Sequence, residues 1–283
     1  MFINEHKNER YCASQGRKFA MFTLERQNEI MIVMREQKRM SVKDLSNMFF
    51  TSETSIRRDL TNLEKQGLIR RTYGGAVLIE GNNFEIPLNV RETSNKAAKL
   101  SIGKIAATLV EHQDTIFLDS SSTTNQICGF LREKNDLTII TNGIHLITEL
   151  VSMDNVTIYG IGGRIRRHSL SLVGGQAERF VENFWASKYF FSCTALSLIM
   201  GAMDYSDTEA ELRKKTMECC QEKILLADHT KFNTESFYKI CNMNMVDILI
   251  TDECPPKEWI SLLRDSKTTL LYPDPETGKI ISL

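Results

Sequence analysis

The chain has 283 residues, 42% of them apolar, so length and composition predict two globular domains with sizeable cores and exclude a largely disordered protein. No apolar run approaches the roughly 20 residues needed to cross a bilayer, and the first 30 residues lack a signal-peptide pattern, so a cytoplasmic protein is expected. The net charge of −1 conceals an asymmetry, because residues 1–80 carry 14 Lys and Arg against 10 Asp and Glu, whereas the remainder carries 21 against 26. A basic head on an acidic body is typical of anion binding by the head.

The cysteines carry no metal-binding or disulfide pattern. There are seven, an odd number, and no two of them form a C-x-x-C pair. We therefore expect reduced, mostly packed thiols, and we predict neither a metal site nor a cofactor.

The sequence of about the first fifty residues predicts an N-terminal tail followed by two helices. Residues 1–20 lack hydrophobic periodicity and are interpreted as an N-terminal tail, whereas apolar spacing predicts a first helix over about 24–37. Ser41, with Asp44 three residues later, predicts the cap of a second short helix that ends near residue 50. The expected inner face of this helix consists of Val42, Leu45 and Met48.

The segment after the second helix predicts a third helix and a β-hairpin. Ser52 is placed to cap the helix, Gly67 to end it, and the apolar positions recur at i, i+4 and i+7. These inward positions are Ile56, Leu60 and Leu63. The stretch LIRRTYGGAVLIEG then predicts a hairpin with Gly74 and Gly75 at or near its turn. Together the elements indicate a winged helix-turn-helix domain over residues 21–80.

The outward side of the third helix is the candidate DNA-reading surface. Hydroxyls at a helix N-terminus bond phosphates or bases, and an arginine fork binds guanine or phosphate. The alternative is a capped surface helix whose two arginines are solvated beside Glu53 and Asp59. The basic hairpin and the preceding helix favour DNA binding. The candidate DNA-contacting residues are Lys43, Ser52, Thr54, Ser55, Arg57, Arg58, Thr61, Arg70 and Arg71.

The second half of the chain alternates between strand and helix patterns. Residues 81–92, which include Pro87, are the predicted linker, and helical patterns cover 94–110, 144–152, 176–186 and 207–221. The apolar strand-like runs are TIFLDS, LTIITNG, VTIYGIGG, KYFFSC, KILLAD, DILITD and TTLLYP. The alternation predicts a Rossmann-like α/β domain over 93–283, with a mostly parallel sheet and helices on both faces.

Polar turns that follow the predicted strands are the candidate effector site. DSSSTTN, residues 119–125, enters a helix near Thr124, and amides and hydroxyls at a helix N-terminus form an anion pocket, although such loops also merely cap helices. Ligands of open parallel sheets bind beyond the strand carboxyl ends. Glu209 and Arg213 are predicted to face the same ligand crevice at the strand carboxyl ends. The alternative is that they form a salt bridge at the surface. The candidate residues are Asp119, Ser120, Ser121, Ser122, Thr123, Thr124, Thr141, Asn142, Gly162, Gly163, Arg164, Glu209, Arg213 and Lys231.

The chain resembles the DeoR family of bacterial transcription regulators from about Met21 to at least Asp252. The motifs that carry the resemblance are SVKDLSNMFFTSETSIRRDLTNLEKQGLIRRTYGGAV, IFLDSSSTT, IITNG, IGGRIRR, SLVGG and LLADHTKF. The resemblance implies a recognition helix around residues 52–58, a second domain similar to ribose-5-phosphate isomerase and CoA-transferase-like folds, and phosphorylated sugars as effectors. Three positions depart from the family pattern: Ser55 replaces a frequent threonine, Ala195 a frequent glycine and Arg213 a frequent lysine.

The resulting prediction is a sequence-specific DNA-binding regulator, a repressor of a carbohydrate-metabolism operon that a phosphorylated sugar controls. One small head contacts few bases, so a homo-oligomer is expected on double-stranded operator DNA. An alternative is a sugar-phosphate isomerase or transferase with Asp119, Glu209 or Asp228 as general base. An RNA-binding or protein-interaction adaptor is less favoured, because no aromatic stacking motif lies on a basic surface.

Overall fold

The computed structural model describes residues 23–65, 68–78 and 86–283, and the chain divides into two compact units, residues 1–78 and 79–283. The predicted tail, the helix stop predicted at Gly67 and the first part of the predicted linker lie outside the described residues. Within the described ranges, no helix is both long and apolar enough to cross a membrane.

The N-terminal unit has the predicted three helices and hairpin, with one further strand. Its elements are α1 (Thr23–Gln37), β1 (Arg39–Ser41), α2 (Val42–Met48), α3 (Glu53–Lys65), β2 (Ile69–Thr72) and β3 (Gly75–Leu78). β1 pairs with β3, which pairs with β2, and all pairs are antiparallel. A Cβ on Gly75 would lie 2.3 Å from the carbonyl oxygen of Met40, so the close approach of β1 to β3 requires glycine there.

The core of the N-terminal unit follows the helical spacing, apart from Met48. The inward positions Ile56, Leu60 and Leu63 are buried, as predicted. Met48, predicted to face inward, is 48% exposed, and that prediction is wrong. Each step of three residues falls about 60° short of a full turn, so Met48 is rotated about 120° from Val42 on a helix of only two turns.

A buried carboxylate joins the first and third helices. Asp59 is fully buried, and it accepts hydrogen bonds from Arg26 Nε (2.6 Å) and Gln27 Nε2 (3.1 Å) of α1. The interpretation of Asp59 as part of a solvated charge pair beside the arginines is therefore wrong. Its position one residue before Leu60 places it toward the core, where α1 supplies its partners.

The second unit is a mixed α/β domain, as predicted. Its helices are α4 (Leu88–Thr93), α5 (Lys96–Thr108), α6 (Ile144–Leu150), α7 (Gly175–Val181), α8 (Asp207–Met217) and α9 (Lys257–Ser266). Its strands are β4 (Thr115–Leu118), β5 (Leu137–Thr141), β6 (Val156–Gly160), β7 (Arg164–Arg166), β8 (Ser171–Val173), β9 (Ala186–Ser192), β10 (Ala195–Ser197), β11 (Gly201–Asp204), β12 (Cys220–Leu226), β13 (Tyr238–Cys241), β14 (Ile248–Ile250), β15 (Thr269–Pro273) and β16 (Ile280–Ser282).

The main sheet has eight strands in the order β16-β15-β14-β12-β9-β4-β5-β6, all parallel except β16. Seven of these strands are the seven predicted runs. From β4 the chain proceeds to β5 and β6 on one side, and β9 and its successors lie on the other side. The boundary between β4 and β9 is therefore the switch point of the sheet, where open α/β sheets bind ligands at the strand carboxyl ends.

Alternation along the strands fills a core on each face of the sheet. Phe117 of β4 belongs to the layer covered by α7, α8 and α9, whereas its neighbours Ile116 and Leu118 belong to the layer under α5 and α6. Residues buried on both faces explain why these strands are continuous apolar runs.

The predicted linker overlaps an ordered helix. Pro87 immediately precedes α4, where the missing N–H is tolerated, and Leu88 and Val90 are buried. The Leu88 N–H also donates to the carbonyl of His168 (2.7 Å). We refer to residues 88–95 as the crossing segment, because its side chains contact the turns at the carboxyl edge of the sheet.

Candidate DNA interface and effector site

The beginning of α3 is capped as its sequence predicts. The Ser55 N–H donates to Ser52 Oγ (3.2 Å), and the two hydroxyl oxygens lie 3.0 Å apart. Two of the predicted DNA-contacting hydroxyls therefore already bond each other, while Thr54 is exposed on the same turn.

The two arginines of α3 differ in their partners. Arg57 and Glu53 form an i,i+4 ion pair of 3.1 Å, with both side chains about half exposed. Arg58 is exposed and makes no hydrogen bond or ion pair with any of the described residues. Since part of the charge of Arg57 is already compensated, Arg58 is the better placed of the two for an external anion.

The β2–β3 hairpin, which we call the wing, contacts the end of α3. The Arg71 N–H donates to Glu64 (2.8 Å), and Arg71 Nη1 donates to Thr61 Oγ1 (3.0 Å). Arg70 is exposed and points to the opposite face of the strand, because side chains alternate.

At the tip of the wing, Tyr73 is fully exposed beside Gly74, whose φ of +86° forms the turn. Tyr73 is absent from the predicted contacts, although the YGG sequence marks a turn. Lys43 is exposed in the first turn of α2.

Asp119 lies at the switch point and joins both sides of it. Its Oδ2 accepts from the backbone N–H of Ser192, at the end of β9, and from Arg213 Nε. These distances are 3.1 and 2.9 Å. Its Oδ1 accepts from the Ser121 N–H (3.0 Å), so the carboxylate also shapes the loop that follows. The residue that was predicted as a ligand contact is thus bonded on both oxygens.

The loop 119–125 is more enclosed than predicted. None of its residues exceeds 6% exposure, and the segment Thr124–Phe130 is a 3-10 helix. The amides of Ser121 and Thr124 are bonded within the loop, to Asp119 and to Ser121 Oγ, so these two amides do not contribute to the predicted anion pocket. The hydroxyls without a hydrogen-bond partner among the described residues are those of Ser120, Ser122 and Thr123.

Arg213 is the centre of a buried ionic cluster. Its Nε donates to Asp119, its Nη1 donates to Asp204 (2.7 Å), and Glu209 lies 4.0 Å away. Glu209 in turn accepts from the Ser171 hydroxyl and pairs with Arg166 (3.4 Å). Glu209 and Arg213 are at most 6% exposed, so the surface salt bridge considered for them is wrong. The planar fork of Arg213 bonds two carboxylates at once, which a lysine at this position does less well.

The opposite charges of this cluster compensate one another. Burial raises the pKa of Asp204, and Arg213 opposes that shift. Burial would lower the pKa of Arg213, but Asp204 and Asp119 outweigh it and raise the pKa. A cavity of about 10 Å³ beside Arg213 and Tyr189 has room for about one water molecule. A sugar phosphate therefore does not fit in this cavity beside Arg213.

The other predicted turns make different contributions. Thr141 and Asn142 are buried; Thr141 Oγ1 accepts from the Gly143 N–H (3.1 Å), and Asn142 donates to Leu172 (3.2 Å). A Cβ on Gly163 would lie 2.8 Å from the Val173 carbonyl, so the close packing of this turn against β8 requires glycine there. Gly162, with no atom within 4 Å of its Cβ position, and Arg164 are exposed.

The crossing segment supplies contacts that sequence reasoning missed. Glu92 accepts from Asn125 Nδ2 (3.3 Å) and lies 3.3 Å from His145. Asn95 Nδ2 donates to Asp228 and to Thr230, each at 3.3 Å. The buried Lys99 donates to the carbonyls of Arg91 and Ser94 and so holds the junction between α4 and α5. Because these residues lie in or beside the predicted linker, no motif marked them.

The turn after β12 contains a histidine–carboxylate pair. His229 Nδ1 lies 2.7 Å from Asp252, and with Glu253 they are a group of described residues whose ligand atoms are close enough for a metal ion. His229 and Glu253 are exposed, and His229 already bonds Asp252. Burial would lower the pKa of His229, but Asp252 outweighs it and raises the pKa. Lys231, partly exposed, ends this turn, and its N–H donates to the Asp228 carbonyl (3.0 Å).

Two family descriptions match the chain, one for each unit. Residues 26–82 match a DeoR-like helix-turn-helix domain, and residues 94–253 match a DeoR C terminal sensor domain. A solved ribose 5-phosphate isomerase A from Methanocaldococcus jannaschii aligns with a TM-score of 0.39 and 11% identity, over 67% of this chain and 100% of that chain.

Full-length relatives are transcription regulators. The regulator GolR of Listeria innocua is 34% identical over 82% of this chain and 91% of its own length. The repressor CsqR of Escherichia coli is 30% identical over 88% of this chain and 95% of its own length, and the repressor GlcR of Bacillus subtilis is 29% identical over 92% and 100%. A winged helix-turn-helix unit followed by an α/β sensor unit defines a DNA-binding transcription regulator.

Within that class, the chain belongs to the DeoR family. These matches identify a transcription regulator, so the alternative of a sugar-phosphate isomerase or transferase is not retained. Two of the general bases considered for it, Asp119 and Glu209, are engaged with Arg213, Arg166 and Ser171. The roles of the individual DNA-facing and effector-facing residues stay predictions.

Proposed function

We propose that this DeoR-family regulator is a cytoplasmic repressor of a carbohydrate-metabolism operon and that a phosphorylated sugar controls its affinity for operator DNA. The observation that carries the proposal is the position of the loop 119–125 at the switch point, with unpartnered hydroxyls on Ser122 and Thr123. Relatives named as repressors support the direction of regulation.

The DNA-binding part of the proposal rests on α3 and the wing. Arg58 contacts a base edge or a phosphate from the major groove, and Arg57, Thr54 and Ser55 lie beside it. Phosphate contacts come from Lys43, Arg70 and Arg71, while Ser52 caps the helix and Thr61 holds Arg71. Two or more copies of the chain bind the operator together, because one head reads few base pairs.

The effector part rests on charge and on hydrogen-bonding capacity. The free hydroxyls of the loop and the cation Lys231 bind the phosphate, and the sugar extends along the carboxyl edge of the sheet. Arg213 does not contact the phosphate in this proposal, because its guanidinium is bonded to Asp119 and Asp204. It positions Asp119, which shapes the loop.

The test combines ligand binding with DNA binding. Purified wild type is screened by thermal shift against a panel of phosphorylated sugars, and the active compound is added to a gel-shift titration with the protein's own promoter fragment. We expect one sugar phosphate to raise the melting temperature and to change the operator dissociation constant. The double variant Ser122→Ala, Thr123→Ala should lose the thermal shift and retain DNA binding in the absence of ligand. Equal thermal shifts for wild type and variant would refute the loop assignment.

A further inference from the structure

Two buried acceptors at the edge of the sheet have no donor. Asn125 and Asp228 are 5% and 1% exposed, and Asn125 Oδ1 and Asp228 Oδ2 have no hydrogen-bond partner among the described residues. A buried polar atom left unpaired costs about 1–3 kcal/mol, so native proteins rarely keep one without a reason.

The other polar atom of each side chain is hydrogen-bonded, which determines the orientation of the free one. Asn125 Nδ2 donates to the Glu92 carboxylate, and the opposite amide orientation would place Oδ1 against that negative charge. Asp228 Oδ1 accepts from Asn95 Nδ2 and from both the N–H and the hydroxyl of Thr230. The neighbouring residues thus bond one end of each group and leave Asn125 Oδ1 and Asp228 Oδ2 buried without a partner.

Both acceptors follow strands that flank β9 in the main sheet, at its carboxyl edge. Asn125 ends the loop after β4, Asp228 follows β12, and their partners Glu92 and Asn95 are three residues apart on the crossing segment. Three residues span at most about 10 Å. The free hydroxyls of Ser122 and Thr123 lie in the same loop as Asn125.

The chemistry of these atoms selects their ligand. Burial acts to raise the pKa of Asp228, but Lys231, Thr230 and Lys99 outweigh it, so the pKa is lowered and the carboxylate accepts only. An amide oxygen also only accepts. A phosphate oxygen, itself an acceptor, would be repelled here, whereas a hydroxyl donates. The two atoms therefore suit the polyhydroxylated end of a ligand whose anionic end is held elsewhere.

We propose that Asn125 and Asp228 recognise the hydroxyl groups of the effector and so determine which phosphorylated sugar the regulator responds to. Sugar hydroxyls donate to Asn125 Oδ1 and Asp228 Oδ2, while Ser122 and Thr123 contact the phosphate. The inference rests on the proposed function and adds the specificity-determining end of the same site.

The test uses a conservative variant of the intact chain. Asp228→Asn retains Oδ1 with its three donors and replaces the free acceptor by an NH₂ group. Isothermal titration with the sugar phosphate identified by thermal shift should give a dissociation constant about ten-fold or more above wild type, whereas the constant for inorganic phosphate should change less than about two-fold. Asp252→Asn, in a neighbouring turn, is the matched control and should bind both probes as wild type does. Asn125→Ser, which withdraws the other acceptor, should show the same selective loss.

The possible results separate the two proposals. If no phosphorylated sugar binds the wild type, the proposed function fails and this inference fails with it. If a sugar phosphate binds wild type and Asp228→Asn with affinities within about two-fold, only this inference is overturned. An equal loss for the sugar phosphate and for inorganic phosphate would also overturn it, because the variant would then act on the whole crevice.

Discussion

Two arginines show how differently the two units use charge. Arg58 of α3 is exposed and has no hydrogen-bond or ion-pair partner among the described residues, whereas Arg213 of α8 is buried and bonded to Asp119 and Asp204. The same contrast holds for the carboxylates, since Glu53 pairs at the surface and Glu209 is enclosed. In these examples the charge of the N-terminal unit lies at the surface, and the charge of the second unit is buried and compensated by neighbouring side chains.

This contrast explains which substitutions should affect stability and which should affect binding. A surface ion pair contributes little to stability, because water screens it. Removal of one member of a buried cluster leaves the others unpaired in a medium of low dielectric constant. Asp59 is the exception in the N-terminal unit, since it is buried and structural.

The largest effect is expected for Arg213→Met. The change leaves Asp119 and Asp204 buried without their counter-charge and should lower the free energy of unfolding of the second unit by about 3–5 kcal/mol. The chain has two tryptophans, Trp185 and Trp259, and both lie in this unit, so fluorescence during urea unfolding reports on it selectively. Arg264→Met, an exposed arginine of α9, is the control and should stay within about 0.5 kcal/mol of wild type. Equal stabilities of the two variants would contradict the role of the cluster.

Asp59→Ala should have the next largest effect. It removes the acceptor shared by Arg26 and Gln27 and so releases α1 from α3, at a cost of about 2 kcal/mol to the N-terminal unit. Thermal unfolding followed by far-ultraviolet circular dichroism measures the change, with Lys43→Ala, an exposed residue of α2, as the control. A melting curve identical to that of Lys43→Ala would show that Asp59 does not hold the two helices together.

Arg58→Ala should weaken binding to the protein's promoter fragment by about 1–3 kcal/mol and leave stability unchanged. If Arg58 contacts a phosphate, the slope of log affinity against log salt should also fall by about one. Arg57→Ala is the matched comparison and should cost less, because Glu53 already compensates that charge. Fluorescence anisotropy at several salt concentrations separates the two. An unchanged affinity and salt slope for Arg58→Ala would refute the recognition-helix assignment.

The smallest effect is expected from the His229–Asp252 pair. Asp252 raises the pKa of His229 in the folded state, with Glu253 and Asp228 acting in the same direction and burial against it. The pair therefore stabilises the folded chain below the unfolded pKa of about 6.5, and this contribution is lost as pH rises through the folded pKa. His229 is 43% exposed, so the contribution should not exceed about 0.5 kcal/mol. The stability difference between wild type and His229→Gln should be larger at pH 5.5 than at pH 8.5, and the reverse order would contradict the sign.

Pattern alone predicts the elements whose burial is periodic or continuous. The helix α3 is marked by its spacing, and strands such as β4 are marked by apolar runs buried on both faces. The short strands β7, β8, β10, β11, β13 and β16 have three or four residues, and each includes a charged residue or serine that interrupts the apolar run. The strand β1 escapes prediction for the same reason.

The sequence predicts a residue of the candidate effector site only where that residue directly follows a strand. Asp119 is predicted because the strand marks it, but its partner Arg213 lies 94 residues away and was assigned a ligand-binding or surface role. Glu92 falls at the end of the predicted linker and Asn95 at the start of a predicted helix, and only the folded chain brings them to Asn125 and Asp228. Tertiary proximity, which decides the partners of buried charges, leaves no local trace in the sequence.

The crossing segment links the path of the chain to the turns at the carboxyl edge of the sheet. Residues 88–93 lie in the stretch between the two matched domains, and through Glu92 and Asn95 the crossing segment contacts the turns that follow β4 and β12. A ligand that makes different contacts with the docked and undocked states of this segment must change the ratio of those states. Reciprocity then requires that whatever binds the N-terminal unit and favours one state changes the affinity for that ligand by the same factor.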